Sequence, residues 1–292
     1  MHAALPTQTA ATGQDFVPVE RIDGALDAGV IVICDHAANG LPAEYRGLGL
    51  APESLDRHIA YDIGAAWLTR RLAGRLGAPA VLSTFSRLLI DPNRGADDPT
   101  LVMRLSDGAI VPGNARADAA EIARRLKLYW TPYRDAVART VEAMGATGLA
   151  PVVVSIHSFT PVWRGAARPW KIGVLWDMDS RLAAPLLRAL AGEADLAAAV
   201  GDNEPYDGAL EGDVIDDIAT ARGLANALIE VRQDLIAARE DAEAWADRLG
   251  RLLGPILARP EIHRRTSQFG SRASGKVRQI SDRFAASDRQ GG

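Results

Sequence analysis

Cysteine, histidine and long apolar runs are all scarce in this chain, and each scarcity excludes something. One cysteine, Cys34, in 292 residues leaves no disulfide framework within the chain. That usage favours a reducing, cytoplasmic setting. No apolar stretch approaches the ~20 residues a membrane-spanning helix needs, so no membrane role is expected. Lys and Arg total 33 against 37 Asp and Glu, for a net charge of -4. Without a basic excess there is no argument for nucleic acid or an anionic membrane surface as partner. A Gly-rich phosphate loop and a G-x-S-x-G elbow are both absent. Residues 1–15 are rich in Ala, Thr and Gln, with no charged start followed by an apolar stretch. They read as a flexible leader and not a signal peptide.

What is present is an ordinary apolar content of 48% over a length that suits one large α/β domain or two small ones. Val30, Ile31, Val32 and Ile33 run into Cys34 and then meet Asp35, His36 and Asn39. Such a run has the composition of a strand buried on both faces. Further strands are expected over 16–20, 80–85, 151–156, 171–176 and 225–231. Helical spacing marks 53–76, 117–144, 180–191, 217–223 and 236–257. Residues 95–116 read as a long surface excursion. The alternation predicts a three-layer αβα sandwich with a mixed, largely parallel sheet. One catalytic domain over 16–260 is expected. Residues 262–292 hold seven Lys or Arg against two Asp, so 261–292 read as a basic, disordered tail.

In open α/β sheets ligands gather at the carboxyl ends of strands. His36 and His157 each follow a buried strand, where an imidazole is poorly placed for packing and well placed to ligate a metal. Two histidines and one carboxylate are a common zinc set. Asp35, Asp62, Asp91 and Glu230 are candidates for the carboxylate, and Asn39 is a weaker ligand type. Asp62 also reads as a helix cap, with His58 four residues before it. Asn93 and Arg94 follow another strand, and the planar Arg94 fork suits a carboxylate; the alternative is a loop ion pair. Glu230 interrupts an apolar run, so it must be paired, ligate metal or work as an acid or base. Arg232 shares its strand face, which leaves a simple Glu–Arg pair open. Cys34 reads as an inert buried thiol.

The stretches CDHAANGLPAEY, HIAYDIGA, SRLLIDPNR, SIHSFTP, GDNEPYDG and LIEVRQDLI, in this order over about residues 30–236, resemble the N-formylglutamate amidohydrolases. Those enzymes are similar to the zinc carboxypeptidase and aspartoacylase group. The resemblance implies a phosphorylase/hydrolase-like α/β fold and a single Zn2+. It matches His36 to the first metal ligand and His157 to the last. Asn39 stands where that group has a carboxylate, and Asp62 is the substitute. Asn93 and Arg94 look like the pair that grips a substrate carboxylate, and Glu230 matches the catalytic glutamate. Arg87 or Arg232 is then expected to stabilise the oxyanion or bind a second carboxylate, with His58 and Tyr206 as further contacts. The implied reaction is hydrolysis of N-formyl-L-glutamate to formate and L-glutamate, a small-molecule step in histidine catabolism. Another zinc deacylase or amidase, a carboxypeptidase-like peptidase and a non-catalytic binding protein are the competing readings.

Overall fold

A computed structural model describes residues 16–273. The leader over 1–15 and the stretch 274–292 of the expected tail lie outside the described residues. In chain order the strands are β1 (Val19–Ile22), β2 (Val30–Cys34), β3 (Ala80–Ser83), β4 (Leu105–Ser106), β5 (Ala109–Ile110), β6 (Val152–Phe159), β7 (Val162–Trp163), β8 (Ala166–Ala167), β9 (Ile172–Leu175), β10 (Val200–Asp202) and β11 (Asn226–Arg232). The helices are α1 (Pro52–Leu55), α2 (Ala65–Leu76), α3 (Pro112–Ala115), α4 (Ala119–Arg125), α5 (Thr131–Gly145), α6 (Ser180–Ala191) and α7 (Arg239–Leu257).

Seven strands form one sheet in the order β1-β3-β2-β6-β11-β9-β10. The inner strands β3, β2, β6 and β11 are parallel to one another. Strand β9 runs antiparallel to β11, and β1 antiparallel to β3. The sheet is therefore mixed and mostly parallel, with helices on both faces.

The period of two along a strand divides the core. Val30, Val32 and Cys34 of β2 join α2, α6 and α7 in one apolar layer. Ile31 and Ile33 face the other way, onto Tyr129 and onto Tyr133, Val137 and Val141 of α5. On β11 the residues Ala227, Ile229 and Val231 belong to the first layer. Glu230 therefore points to the opposite face, and it pairs in parallel register with His157 of β6. Both are on the sheet face that also carries Ser155.

Several expected elements are broken where the chain needs a bend. The helix expected over 53–76 is two helices, α1 and α2. Between them Gly64 takes φ +81°, and a Cβ there would lie 2.0 Å from the Ile236 carbonyl oxygen. Only glycine turns at that spot. The helix expected over 117–144 is α4, a π-turn over Leu126–Trp130, and α5. Pro132 follows the π-turn directly in a helix that continues on both sides. The π-turn, in which Thr131 N–H reaches back to the Leu126 carbonyl, is where the ladder adjusts to the missing N–H. The excursion over 95–116 carries the β4–β5 hairpin and α3, pinned by Asn114 Nδ2, which donates to the carbonyls of Leu88 and Met103 at 2.7 Å. The basic tail expected from 261 does not start there. Ile262 is buried in the first layer, Thr266 N donates to the Gly223 carbonyl at 3.0 Å, and Arg272 pairs with Asp177 and Asp207. One buried isoleucine and a two-acid clamp outweigh the polar composition around them. No helix among the described residues is long and apolar enough to cross a membrane.

Candidate metal centre and active site

Strands β2, β6 and β11 end side by side, and each delivers one functional residue to the same edge. His36 lies two residues past β2. His157 lies two residues before the end of β6, and Glu230 two residues before the end of β11. The fourth residue, Asp62, comes from the bend before α2. Its backbone N–H donates to the His36 carbonyl at 2.9 Å, which ties the bend to the strand end.

His36, Asp62 and His157 are each only 2% exposed. One ligand atom from each lies within 4.8 Å of the others. Nδ1 of His157 is 2.9 Å from Asp62 Oδ2, and Nδ1 of His36 is 3.5 Å from the same oxygen. The imidazole centroids are 4.9 Å apart and the rings nearly perpendicular at 83°. The outer nitrogens are held by two more buried acids. His36 Nε2 is 2.7 Å from Asp91 Oδ1, and His157 Nε2 is 3.0 Å from Asp35 Oδ2. An imidazole that donates its Nε2–H to a carboxylate presents the lone pair of Nδ1, which is the usual backing of a metal-bound histidine. His36 Nδ1 and Asp62 Oδ1 are buried with no hydrogen-bond partner. A dication set among these atoms would satisfy both. The donor set fits zinc, which accepts two imidazoles and a carboxylate with one position open.

The field of the pocket points the same way. Burial opposes ionisation of Asp62, yet His36 and His157 hold its carboxyl well below the usual range. Burial likewise works against Asp91, and His36 with Arg87 overcomes it. Burial disfavours the charged His157 ring, but hydrogen bonds to Asp35 and Asp62 raise its pKa well above the ordinary value. A pocket that pulls a proton onto a buried histidine attracts positive charge, and a metal ion would take that proton's place.

Glu230 is 5% exposed, and its Oε2 has no hydrogen-bond partner. Burial pushes its carboxyl up to about 7, with Asp62 adding to the rise and His157 opposing it. Beside it, burial pushes His58 down to about 4 against the pull of Asp62. His58 is therefore a neutral imidazole at pH 7. These groups share a cavity of about 690 Å³, also lined by Arg87, Asn93, Arg94, Tyr206 and Gln233.

The expected residues divide clearly. His36, Asp62, His157, Glu230, His58, Arg87, Asn93, Arg94 and Tyr206 meet at this cavity. Asn39 does not: its Nδ2 donates to the Leu55 carbonyl at 2.8 Å and holds α1 in place. Arg232 does not either, because its guanidinium pairs with Asp234 at 2.8 Å, just past the strand end. Glu230 and Arg232 are therefore not a simple ion pair. Asp35 and Asp91 stand behind the histidines and are not in the inward-facing set. Arg87 reaches the cavity with its charge already engaged, 3.1 Å from Asp91 Oδ2 and 3.6 Å from Asp62 Oδ1. Sequence reasoning missed Tyr133, whose hydroxyl donates to Asp35 Oδ1 at 2.8 Å. It sits in the apolar stripe of α5 and gives no signal of its own. Gln233 was also missed; its position three residues after Glu230, at a strand end, was the available clue.

Comparison with known proteins agrees with this geometry. The family profile described as N-formylglutamate amidohydrolase matches residues 28–237. No curated protein matches the chain. Among solved structures, gene product Atu2144 from Agrobacterium tumefaciens is 36% identical, with 85% of this chain and 97% of that one covered, at a TM-score of 0.78. The N-formylglutamate amidohydrolase from Ralstonia eutropha is 21% identical, with 84% and 99% covered and a TM-score of 0.64, and it shares the fold. With the matched segment running from the first site strand to just past the last, this chain belongs to the N-formylglutamate amidohydrolase family, hydrolases that act on an amide.

Proposed function

We propose that the protein is a zinc-dependent amidohydrolase that cleaves the amide of an N-acyl amino acid, with N-formyl-L-glutamate giving formate and L-glutamate. The reading is carried by the convergence of two inward Nδ1 atoms and the Asp62 carboxylate, with Glu230 beside them in one cavity. Zinc held by His36, Asp62 and His157 would supply a Lewis acid for the amide oxygen and lower the pKa of a water to about 7.

The chain's own residues do the rest. Glu230 takes a proton from the water that attacks the carbonyl carbon and delivers it to the departing nitrogen. A carboxyl pushed up to about 7 suits both directions of that transfer. Arg94 and Asn93 hold the α-carboxylate and set the amide against the metal position. The Arg94 guanidinium has no acid within 4.0 Å among the described residues, and its hydrogen bonds go to Thr100 and the Asn93 carbonyl. Arg87 keeps Asp62 and Asp91 in place and is not free for substrate. His58 offers a neutral hydrogen-bonding wall. The setting is cytoplasmic, and the substrate is a free small molecule.

Metal analysis and hydrolysis assays on the purified chain test the reading. One zinc per chain and turnover of N-formylglutamate well above N-acetylglutamate and a dipeptide are expected. A protein that binds no zinc and hydrolyses none of the three overturns it.

A further inference from the structure

A glutamyl substrate carries two carboxylates, and Arg94 can account for one. Of the arginines expected to read the second, Arg87 is engaged by Asp62 and Asp91, and Arg232 by Asp234. Arg168 differs from both. It is only 9% exposed, and no acid lies within 4.0 Å of it among the described residues. Its Nη1 donates to the Thr160 carbonyl and hydroxyl at 3.3 Å and to the Tyr206 hydroxyl at 3.1 Å, all neutral acceptors. Its Nε and Nη2 have no hydrogen-bond partner among the described residues.

The aromatic rings of Phe159, Trp163 and Tyr206 surround the guanidinium at 5.0–5.6 Å from their centroids. Such rings attract a cation but replace only part of its hydration. Nε and Nη2 are not among the buried polar atoms left without a partner, so they reach water, and an anion can replace that water. Thr160, Trp163 and Tyr206, the residues that hold it, line the same cavity as Glu230 and Arg94. Trp163 belongs to the β7–β8 hairpin and Arg168 follows it directly, so one short element builds this wall.

We propose that Arg168, set by Tyr206 and Thr160, is the residue that reads the side-chain carboxylate of the substrate and so selects acidic N-acyl amino acids. The inference rests on the amidohydrolase reading and assigns its specificity. Two guanidiniums without an acid within 4.0 Å among the described residues then match the two carboxylates of a glutamyl substrate, Arg94 on the cavity itself and Arg168 directly behind the wall formed by Thr160, Trp163 and Tyr206.

The test measures kcat/KM for N-formylglutamate and N-formylglutamine with the zinc-loaded wild type and with Arg168→Met and Arg168→Lys. Removing one charged hydrogen-bonding partner from a semi-buried site lowers affinity about 10- to 100-fold. The wild type is expected to prefer the glutamate substrate. The ratio of the two values should fall about 10- to 100-fold in R168M, mainly through KM, and recover in part in R168K. A wild type that hydrolyses both substrates equally, or an R168M that loses both in proportion, overturns the assignment while leaving the amidohydrolase reading intact. If the wild type hydrolyses neither, that reading fails. Glutarate binding by calorimetry then decides the subsite alone: binding by wild type and at least tenfold weaker binding by folded R168M supports it, and equal binding overturns it.

Discussion

Nε2 of His36 lies 2.7 Å from Oδ1 of Asp91, a carboxylate with no solvent exposure. This pairing settles which imidazole nitrogen faces the cavity. Asp91 is itself fixed by the Asn93 backbone N–H at 2.9 Å and by Arg87 at 3.1 Å. The turn at Asn93 and the imidazole of His36 therefore share one anchor. His157 has the matching device in Asp35, with Tyr133 and Ser155 donating to it at 2.8 and 2.9 Å.

Replacing Asp91 with Asn should leave the fold intact and weaken zinc binding about 10- to 100-fold, the usual cost of losing a histidine's outer carboxylate. Competition with a chelator of known affinity measures it. Zinc affinity equal to wild type in D91N would show that the His36 tautomer is set by something other than Asp91.

Glu230 makes a separable prediction. Its Oε2 is unpartnered, and it is not in the inward-facing ligand set. Glu230→Gln keeps the shape and removes the basic oxygen. Zinc content should stay at the wild-type level, while kcat falls by about 10²- to 10⁴-fold. A variant that retains near wild-type turnover takes the proton-transfer role away from this residue.

Much of this site was legible in the sequence because strand ends carry a compositional mark. His36, His157 and Glu230 each terminate or interrupt an apolar run, and a polar group there has few reasons to exist other than chemistry. The roles of the carboxylates were less legible. Asp35, Asp62 and Asp91 all stand near strand or helix ends, and only the fold decides which faces inward and which backs a histidine. The arginines were harder still. Arg87, Arg94 and Arg232 look alike in sequence, and they differ by whether an aspartate arrives beside them from elsewhere in the chain. Arg168 carries no motif, and its acid-free surroundings are assembled from residues 159–163 and Tyr206.

The buried acid Asp213, on the wall of the same cavity, gives a pH-dependent prediction. Burial pushes its carboxyl from 3.8 up to about 7, against the backbone N–H of Asp216. The folded state then holds the proton where the unfolded chain has released it. Stability from this group is full below about pH 4 and is lost as pH rises toward 7. The loss is bounded at about 4 kcal/mol. Asp213→Asn is neutral throughout and keeps the acceptor for Asp216. Thermal unfolding at pH 5 and pH 8 should show the variant gaining on wild type at the higher pH. A difference between the two proteins that does not change with pH would place the ionised form of Asp213 comfortably in the folded state.

Gly64 links the fold to the candidate metal centre. It takes φ +81° two residues after Asp62, and an added Cβ would meet the Ile236 carbonyl oxygen at 2.0 Å. The left-handed backbone alone costs an alanine roughly 1–2 kcal/mol, and backbone displaced by the clash adds to that. The displacement must fall on one of two neighbours. One is the segment at Ile236 that follows β11 and Glu230. The other is the bend that holds Asp62 N against the His36 carbonyl. Either movement disturbs the distances among His36, Asp62 and His157. Gly64→Ala should therefore lower the unfolding midpoint in denaturant and also reduce bound zinc in the fraction that remains folded. Loss of stability with full zinc occupancy would mean that the ligand geometry is held by the strand ends alone, and that the bend before α2 only connects them.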